Sequence, residues 1–428
     1  MSLEAINAAE FAAAMAPLGP YEPSPRLAAG VSGGPDSLAL ALLADAWACE
    51  RGGRLLALIV DHRLRAESGG EAAETAARLG SCGIAARVLT IEGLGRGPSL
   101  AERAREARLH ALAEACAEQG IVHLLLGHHA GDQTETVLIR VLGGSGPAGL
   151  AGIAPLVETP GLRILRPLLA QWPARLRATL VSAGMEWVED PSNIDPVALR
   201  PRLRLLRRDR EGGGSATTAL VAATAVSARQ RADEDASVAT DLAEHASLRL
   251  EGFCVLTGGV AERSLAAVVQ AMAGARYPPP ANAVAALAAK LRPATLAGVQ
   301  LLAAGRLGPG FLVVREAAAM APPVPARPGA VWDGRFRLGV AARVQPGATF
   351  GALGADAARL RRISSLPSAV LRTLPALRLG DALLAVPHLL YPDPEACARF
   401  PVIFAPPRAA AAAPFSAGSG APNAFGDA

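Results

Sequence analysis

The sequence predicts an α/β protein: a Rossmann-like, doubly wound parallel sheet in the N-terminal half, then a helical domain and a small C-terminal α+β region. Three observations carry this expectation. Short apolar runs alternate with helically spaced stretches from Arg26 to Leu126, the pattern of repeated strand–helix units. Leu55–Val60 is apolar without alternation, as a strand covered on both faces must be. Three polar clusters, at residues 32–37, 61–65 and 127–136, fall at the ends of expected strands. Open α/β sheets place their ligand crevice there.

Taken in order, Arg26–Val31 reads as the first strand and Ser32-Gly33-Gly34-Pro35 as a loop. Asp36–Ala48 follows as a helix, with Leu38, Leu42, Leu43 and Ala46 at helical spacing. Leu55–Val60 is the second strand and ends at Asp61-His62. Glu71–Leu79 reads as a helix, Ala85–Ile91 as a strand, Leu100–Gln119 as a longer helix, and Ile121–Leu126 as a strand ending at Gly127-His128-His129. These elements define a first domain over 26–211, after an N-terminal extension at 1–25. Gly212–Ser215 reads as a linker, and the alanine-rich stretch to about Leu291, turning at Tyr277–Pro280, as mostly helical within a domain at 216–320. Beyond Pro322–Pro328, residues 329–405 form the α+β region, with Val331–Leu338 and Ala341–Val344 read as strands. The tail at 406–428, rich in Ala, Gly, Ser and Pro, has too little to bury and is expected to be disordered.

Composition narrows the function classes. No run of about 18 strongly apolar residues reads as a membrane span, and Glu4 and Glu10 stand where a secretory signal would carry basic residues. A soluble cytoplasmic protein, free of the membrane, is the expectation. The cysteines Cys49, Cys82, Cys116, Cys254 and Cys397 are odd in number, scattered and without a C-x-x-C pair. That argues against a disulfide framework and a cysteine-rich zinc site. The net charge of +4 decides little, but 42 basic residues include a single lysine, Lys290. Coding bias accounts for the arginine excess as well as phosphate recognition does. Either way, no lysine before residue 290 can act as a nucleophile or phosphate clamp.

Ser32-Gly33-Gly34-Pro35-Asp36-Ser37 joins a strand to a helix. Glycines let the backbone approach a polyanion, and the helix start offers unpaired N–H groups. Asp36 can help hold Mg²⁺, which takes one or two carboxylates with phosphate oxygens. Alone, the loop reads equally as a tight turn in which Ser and Asp cap a helix. It lacks the lysine of a Walker-type loop. His128 and His129 leave a strand end in opposite directions, so one at most faces the crevice. Zinc at this pair would need two or more further ligands at a fitting spacing. Asp132, Thr136 and Arg140 share one helix face, which fixes Asp132 near the strand end. Six arginines between Arg200 and Arg210 suit RNA phosphates or a solvated face.

The S-G-G-x-D-S loop resembles that of the PP-loop ATP pyrophosphatases, which cleave ATP to AMP and pyrophosphate. Further motifs resemble one of its branches, the tRNA(Ile)-lysidine synthetases. They are Val60-Asp61-His62-Arg63-Leu64-Arg65 with Ser68, then Gly127-His128-His129-Ala130-Gly131-Asp132-Gln133-Thr134-Glu135-Thr136. Gly144-Ser145-Gly146, Gly149–Gly152, Arg166-Pro167-Leu168-Leu169 and Glu189-Asp190-Pro191-Ser192-Asn193 follow in order, trailed by Arg200 and Arg204. Weaker echoes lie at Tyr277-Pro278 and Trp332-Asp333-Gly334-Arg335-Phe336. Gly131 stands where the family pattern has the first aspartate of D-D-Q, and Leu109 where tyrosine usually follows the family's arginine.

The resemblance implies ligation of free L-lysine to C2 of the wobble cytidine in a CAU-anticodon tRNA(Ile), through an adenylated base. ATP with Mg²⁺ is the implied cofactor pair, without zinc or an iron–sulfur cluster, and a homodimer is compatible with it. ATP phosphates would meet Ser32, Gly33, Gly34, Pro35, Asp36 and Ser37, with Asp36 assisting the metal. Asp36, Asp132, His128 and Arg108 are the implied catalytic residues. Substrate or tRNA contacts would fall at Asp61, His62, Arg65, Glu135, Asp190, Asn193, Arg200 and Arg204. The rivals are a PP-loop tRNA thiolase, which needs paired reactive cysteines or an iron–sulfur cluster, and a tRNA-binding pseudoenzyme permitted by Gly131.

Overall fold

The computed structural model describes residues 4–411 except 66, 96, 98, 160, 189–201 and 204–213. The chain divides into two compact units at Asp233–Glu234, within a helix that runs from Ser215 to His245.

The first unit is the expected doubly wound sheet. Its strands are β1 (Arg26–Val31), β2 (Arg54–Asp61), β3 (Ala85–Thr90), β4 (His123–Leu126), β5 (Leu156–Thr159) and β6 (Leu162–Leu165). They lie in the order β3-β2-β1-β4-β6-β5, all pairs parallel except β5–β6. The antiparallel β5–β6 edge is unread in the sequence, because each strand has four residues and little alternation to show.

Each strand feeds two cores with alternate side chains. Leu27, Ala29, Val31, Leu55, Ala57, Ile59 and Leu125 pack on one face. They meet α1 (Ala8–Met15), α2 (Pro35–Cys49), α3 (Ser68–Ser81) and α7 (Pro173–Ser182). Ala28, Leu58, Leu124 and Leu126 pack on the other, against Leu112 and Cys116 of α4 (Leu100–Glu118). This two-sided burial explains the unbroken apolar run of β2. The residues read as an N-terminal extension are integral to the first core. Asn7 and Glu10 form a reciprocal capping box at the start of α1, Glu10 pairs with Arg175 at 2.8 Å, and Phe11, Met15 and Leu18 are buried. Arg175 holds the Glu10 carboxyl below its usual range.

The second unit corrects part of the sequence reading. Helices α8 (Ser215–His245), α9 (Glu262–Ala273) and α10 (Ala281–Ala289) bear out the mostly helical stretch to Leu291. Yet residues 246–315 also carry a five-stranded antiparallel sheet: β7 (Ala246–Arg249), β8 (Phe253–Leu256), β9 (Ala294–Leu296), β10 (Val299–Ala303) and β11 (Phe311–Arg315). Cys254, Leu256, Leu301 and Val313 face α9 and α10, while Phe253, Val255, Leu312 and Val314 pack against the segment around Leu353–Leu374. The sheet therefore binds the stretch expected to be helical to the C-terminal region within one unit.

Val331–Leu338 is a hairpin, not one strand, because Asp333 and Gly334 both take positive φ (53° and 63°), the requirement of a tight hairpin turn. Ala341–Val344 is irregular, and the strand expected there begins at Ala348, after Pro346-Gly347 turns the chain. Part of the tail is ordered: Ala410 is buried in the α9–α10 core and Arg408 pairs with Asp235 at 3.7 Å.

A buried charge network fastens the hairpin. Asp333 accepts from Arg335 Nε at 2.8 Å, from Arg315 Nε at 3.1 Å and from the Ala321 amide at 2.9 Å. Arg335 also donates to Gly252 O, and Arg315 to Gly298 O and Ala319 O. The side chains of Asp333 and Arg335 are 1% and 0% exposed, so one carboxylate offsets two buried guanidiniums. Removing a buried counter-ion costs about 3–5 kcal/mol. Asp333→Asn keeps the tolerance for positive φ and should lower unfolding free energy by about that much in urea titrations; a loss under about 1 kcal/mol would contradict the network's role.

Candidate active site

The crevice opens beyond the carboxyl ends of β1 and β4, where the strand order reverses. Three elements converge on it: the loop into α2, the β4 exit into α5 (Ala130–Leu142), and the β6 exit at Arg166.

The loop after β1 is held by serines. Ser37 Oγ accepts from the Ser32 amide at 3.1 Å and donates to Gly34 O at 3.0 Å. Gly33 has φ 82°, and a β-carbon there would stand 2.7 Å from Thr75 Oγ1. Gly34 is the N-cap of α2 and provides no side-chain cap, so the first-turn N–H groups face the crevice entrance without one. Such a helix start is suited to an anion. Asp36 sits in that first turn with Oδ1 buried and lacking a hydrogen-bond partner.

At the β4 exit, Gly127 lets the two helices meet. A β-carbon at Gly127 would lie 3.1 Å from Asp36 O and 3.2 Å from Ser37 Cα. Two residues on, His129 is the N-cap of α5: its Nδ1 accepts from the Gly131 amide at 3.0 Å, and Asp132 Oδ2 accepts from the His129 amide at 3.1 Å. An accepting Nδ1 assigns the ring proton to Nε2. That nitrogen stands 3.4 Å from Asp36 Oδ2 and 3.6 Å from Asp132 Oδ2. His129 therefore bridges the two acids, a place that alternation at a strand end cannot by itself assign to His129 over His128. The local signal was His-x-x-Asp, a reciprocal cap in which histidine takes the serine's part.

Gly131 is tied to this arrangement. A β-carbon there would be 2.8 Å from His129 Cε1 and 3.0 Å from Nδ1. The imidazole occupies the space that an aspartate side chain would enter.

His128 turns the opposite way, as successive residues at a strand end must. Burial pushes its pKa down to about 3; Arg166, Arg105 and Arg108 act in the same sense and Asp132 opposes them. Burial lowers the pKa of Arg108, and Arg105 adds to that; burial likewise takes Arg166 down to about 10. His62, at the β2 end, is lowered by burial and then by Arg108. His128 is thus a neutral group beside an arginine cluster.

The remaining candidates divide. Asp61 is committed to its own turn, accepting from Ser68 Oγ at 2.6 Å and from the Arg63 amide at 2.9 Å, and Ser68 chiefly holds its carboxyl below the usual range. Arg65 pairs with Glu71 at 2.8 Å on the surface. Glu135 is buried on α5. Val188 donates to Gly33 O at 3.2 Å, which brings the chain to the phosphate loop one residue before the Glu189–Asn193 motif. Asp190, Asn193, Arg200 and Arg204 lie outside the described residues.

Comparison with known proteins agrees with this geometry. A family profile described as a PP-loop domain matches residues 4–208. The chain is 47% identical over 189 residues to a tRNA(Ile)-lysidine synthase of Bradyrhizobium sp. (strain BTAi1), covering 44% of this chain and 53% of that protein. It is 39% identical to one from Methylobacterium sp. (strain 4-46), over 63% of this chain and 81% of the relative. A third, from Mesorhizobium japonicum, is 34% identical over 401 residues, covering 89% of this chain and 86% of the relative. The matches to the Bradyrhizobium and Rhodopseudomonas relatives span 53–65% of those proteins' lengths.

The contact between position 131 and the His129 ring is open to a double-mutant cycle. Gly131→Ala should destabilise by about 1–3 kcal/mol, as overpacking does. In a His129→Ala background the same change should be neutral or stabilising, and equal effects in both backgrounds would contradict the steric link.

Proposed function

The chain belongs to the tRNA(Ile)-lysidine synthase family, and from that membership we propose that it joins free L-lysine to C2 of the wobble cytidine of a CAU-anticodon tRNA(Ile). ATP is consumed and AMP and pyrophosphate are released; the lysidine formed changes codon reading from AUG to AUA and identity from Met to Ile. The observation that carries this reading is the junction of Asp36, His129 and Asp132 beside an uncapped helix start, which we read as a phosphate site next to a proton acceptor.

In this reading the ATP phosphates lie along residues 32–37, on the N–H groups left after Ser32, whose amide is spent on Ser37 Oγ, and Pro35, which has none. The orphaned Oδ1 of Asp36 fits a magnesium ion carried by the nucleotide, and the metal, when bound, would neutralise charge building on pyrophosphate. The cytidine O2 attacks the α-phosphorus, the bond to pyrophosphate breaks, and the base becomes an adenylate. O2 is otherwise a poor leaving group, which is why ATP must be cleaved to AMP. The lysine side-chain amine then attacks C2 and AMP departs with O2. Before that attack the ammonium must lose a proton, and Asp132, held rigidly by its cap and facing His129 Nε2, is placed to receive it. Neutral His128 orients the amine, and Arg108 steadies the phosphate of the adenylate. An unstacked anticodon loop can present the base, as recognition of single-stranded RNA requires, with the second unit engaging the body of the tRNA.

Sulfur transfer is disfavoured by four of the five thiols. Cys116 and Cys254 are buried, with pKa values pushed up to about 12, and the Cys49 and Cys397 pKa values are raised by burial too. A sulfur carrier needs the opposite shift. No helix among the described residues is long and apolar enough to cross a membrane, and we place the reaction in the cytoplasm.

Purified protein given ATP, labelled lysine and a CAU-anticodon tRNA(Ile) transcript should transfer label to RNA. Asp36→Ala should cut the rate at least about 100-fold, the scale at which removing one preorganised electrostatic group acts. Label retained at the wild-type rate in that variant would refute the role of Asp36; a wild-type chain that labels no RNA would refute the function.

A further inference from the structure

The arginines on the α4 side of the crevice are not accounted for by ATP at the α2 side. Arg166 follows β6 directly, and because Leu125 pairs with Leu165 it leaves the sheet beside the β4 exit that carries His128. It is 7% exposed. Its Nη1 donates to Ala154 O at 2.7 Å, which fixes one edge of the guanidinium, while its Nε is buried with no hydrogen-bond partner. Arg108 Nε is likewise buried and unpartnered. No acidic side chain among the described residues pairs with Arg105, Arg108 or Arg166. A buried guanidinium costs several kcal/mol unless an anion meets it, so Arg166, with no carboxylate partner among the described residues, is suited to an anion that arrives from outside.

We propose that Arg166, flanked by Arg105 and Arg108, binds the α-carboxylate of the free amino acid. The reading rests on the function proposed above. Three features select a carboxylate on a small ligand. The uncommitted Nε edge can present the fork that a planar carboxylate takes. Arg166 is too deeply buried for a polymer backbone to reach easily, whereas exposed Arg105 is open to RNA phosphate. A free amino acid is also the one substrate that brings an anionic and a cationic end together. With its carboxylate on Arg166 its amine can turn toward Asp132, past uncharged His128, on the opposite, acidic side of the same crevice.

Lysine and lysinamide, which lacks the carboxylate charge, separate the cases by equilibrium dialysis with the full chain. Wild type should bind lysine about 10–100-fold more tightly than lysinamide, the range of a charge-assisted pair. In Arg166→Gln that preference should fall to near unity by loss of lysine affinity, with affinities for ATP and for the tRNA transcript unchanged. Arg166→Lys, which keeps the charge and loses the fork, should recover part of the preference, and it carries the test if the glutamine variant does not fold. A preference that survives in both variants would overturn the proposal. So would lost tRNA affinity with the lysine-to-lysinamide ratio intact, which would identify an RNA phosphate as the occupant. A wild-type chain that incorporates lysine but does not prefer it to lysinamide sinks the Arg166 assignment alone; one that binds neither form sinks the parent function as well.

Discussion

The close approach of the Gly127 backbone to the first turn of α2 is the constraint on which the site depends. Any side chain at 127 would meet the backbone of Asp36 and Ser37. With none, the helix whose start lacks a side-chain cap and the helix that carries Asp132 begin side by side at the point where strand order reverses. His129 then fills the remaining gap, its Nδ1 spent on the α5 cap and its Nε2 turned to both acids. The absence of a side chain at Gly131 follows from the same packing, since the ring stands where a β-carbon would go. The departure from the family pattern is thus coupled to a specific ring position. It leaves Asp132, the retained acid, capped and fixed, which favours an enzyme over a tRNA-binding pseudoenzyme.

Two kinds of buried arginine show how the chain separates structure from function. Arg335 is fully buried and Arg315 largely so, and both close on Asp333 and on backbone carbonyls. The charges of that network are paired, with Arg335 Nη2 standing 2.8 Å from Asp333 Oδ2, and the network serves to hold a hairpin. Arg166 and Arg108 keep unpartnered guanidinium nitrogens at the mouth of a sheet crevice. Asp333 supplies a carboxylate in one place, while among the described residues no carboxylate pairs with Arg166 or Arg108 in the other. Around His128 the result is a positive, low-dielectric side facing an acidic side, the separation that a zwitterionic nucleophile and a phosphorylated base require.

Much of this was legible in the sequence because it follows from local rules. The alternation of apolar runs gave β1 to β4 and their helices, and the strand-end position of each polar cluster located the crevice. Asp36 and Asp132 were marked by the family resemblance, and for Asp132 helical spacing also fixes the carboxylate relative to a strand end. What escaped depends on contacts distant in sequence. The choice of His129 over His128 turns on a cap and on the approach of α2; the commitment of Asp61 to Ser68 is invisible without the turn between them. Arg166 lay within a quoted motif but gained meaning only from the β4–β6 register. In the second unit, strands of two to five residues among alanine-rich helices show too little periodicity to be read, and Asp333-Gly334, within an apolar run that reads as one strand, marks a turn.

The claim most open to direct test is that the crevice activates the RNA base first and admits the amine second. Mass spectrometry of a CAU-anticodon tRNA(Ile) transcript incubated with the chain and ATP, with lysine withheld, addresses it. The account requires the wobble cytidine to gain one AMP moiety with release of pyrophosphate, and adding lysine should convert that species to a lysine-bearing base. Unmodified RNA accompanied by ADP and phosphate, or AMP found on lysine in place of RNA, would contradict it.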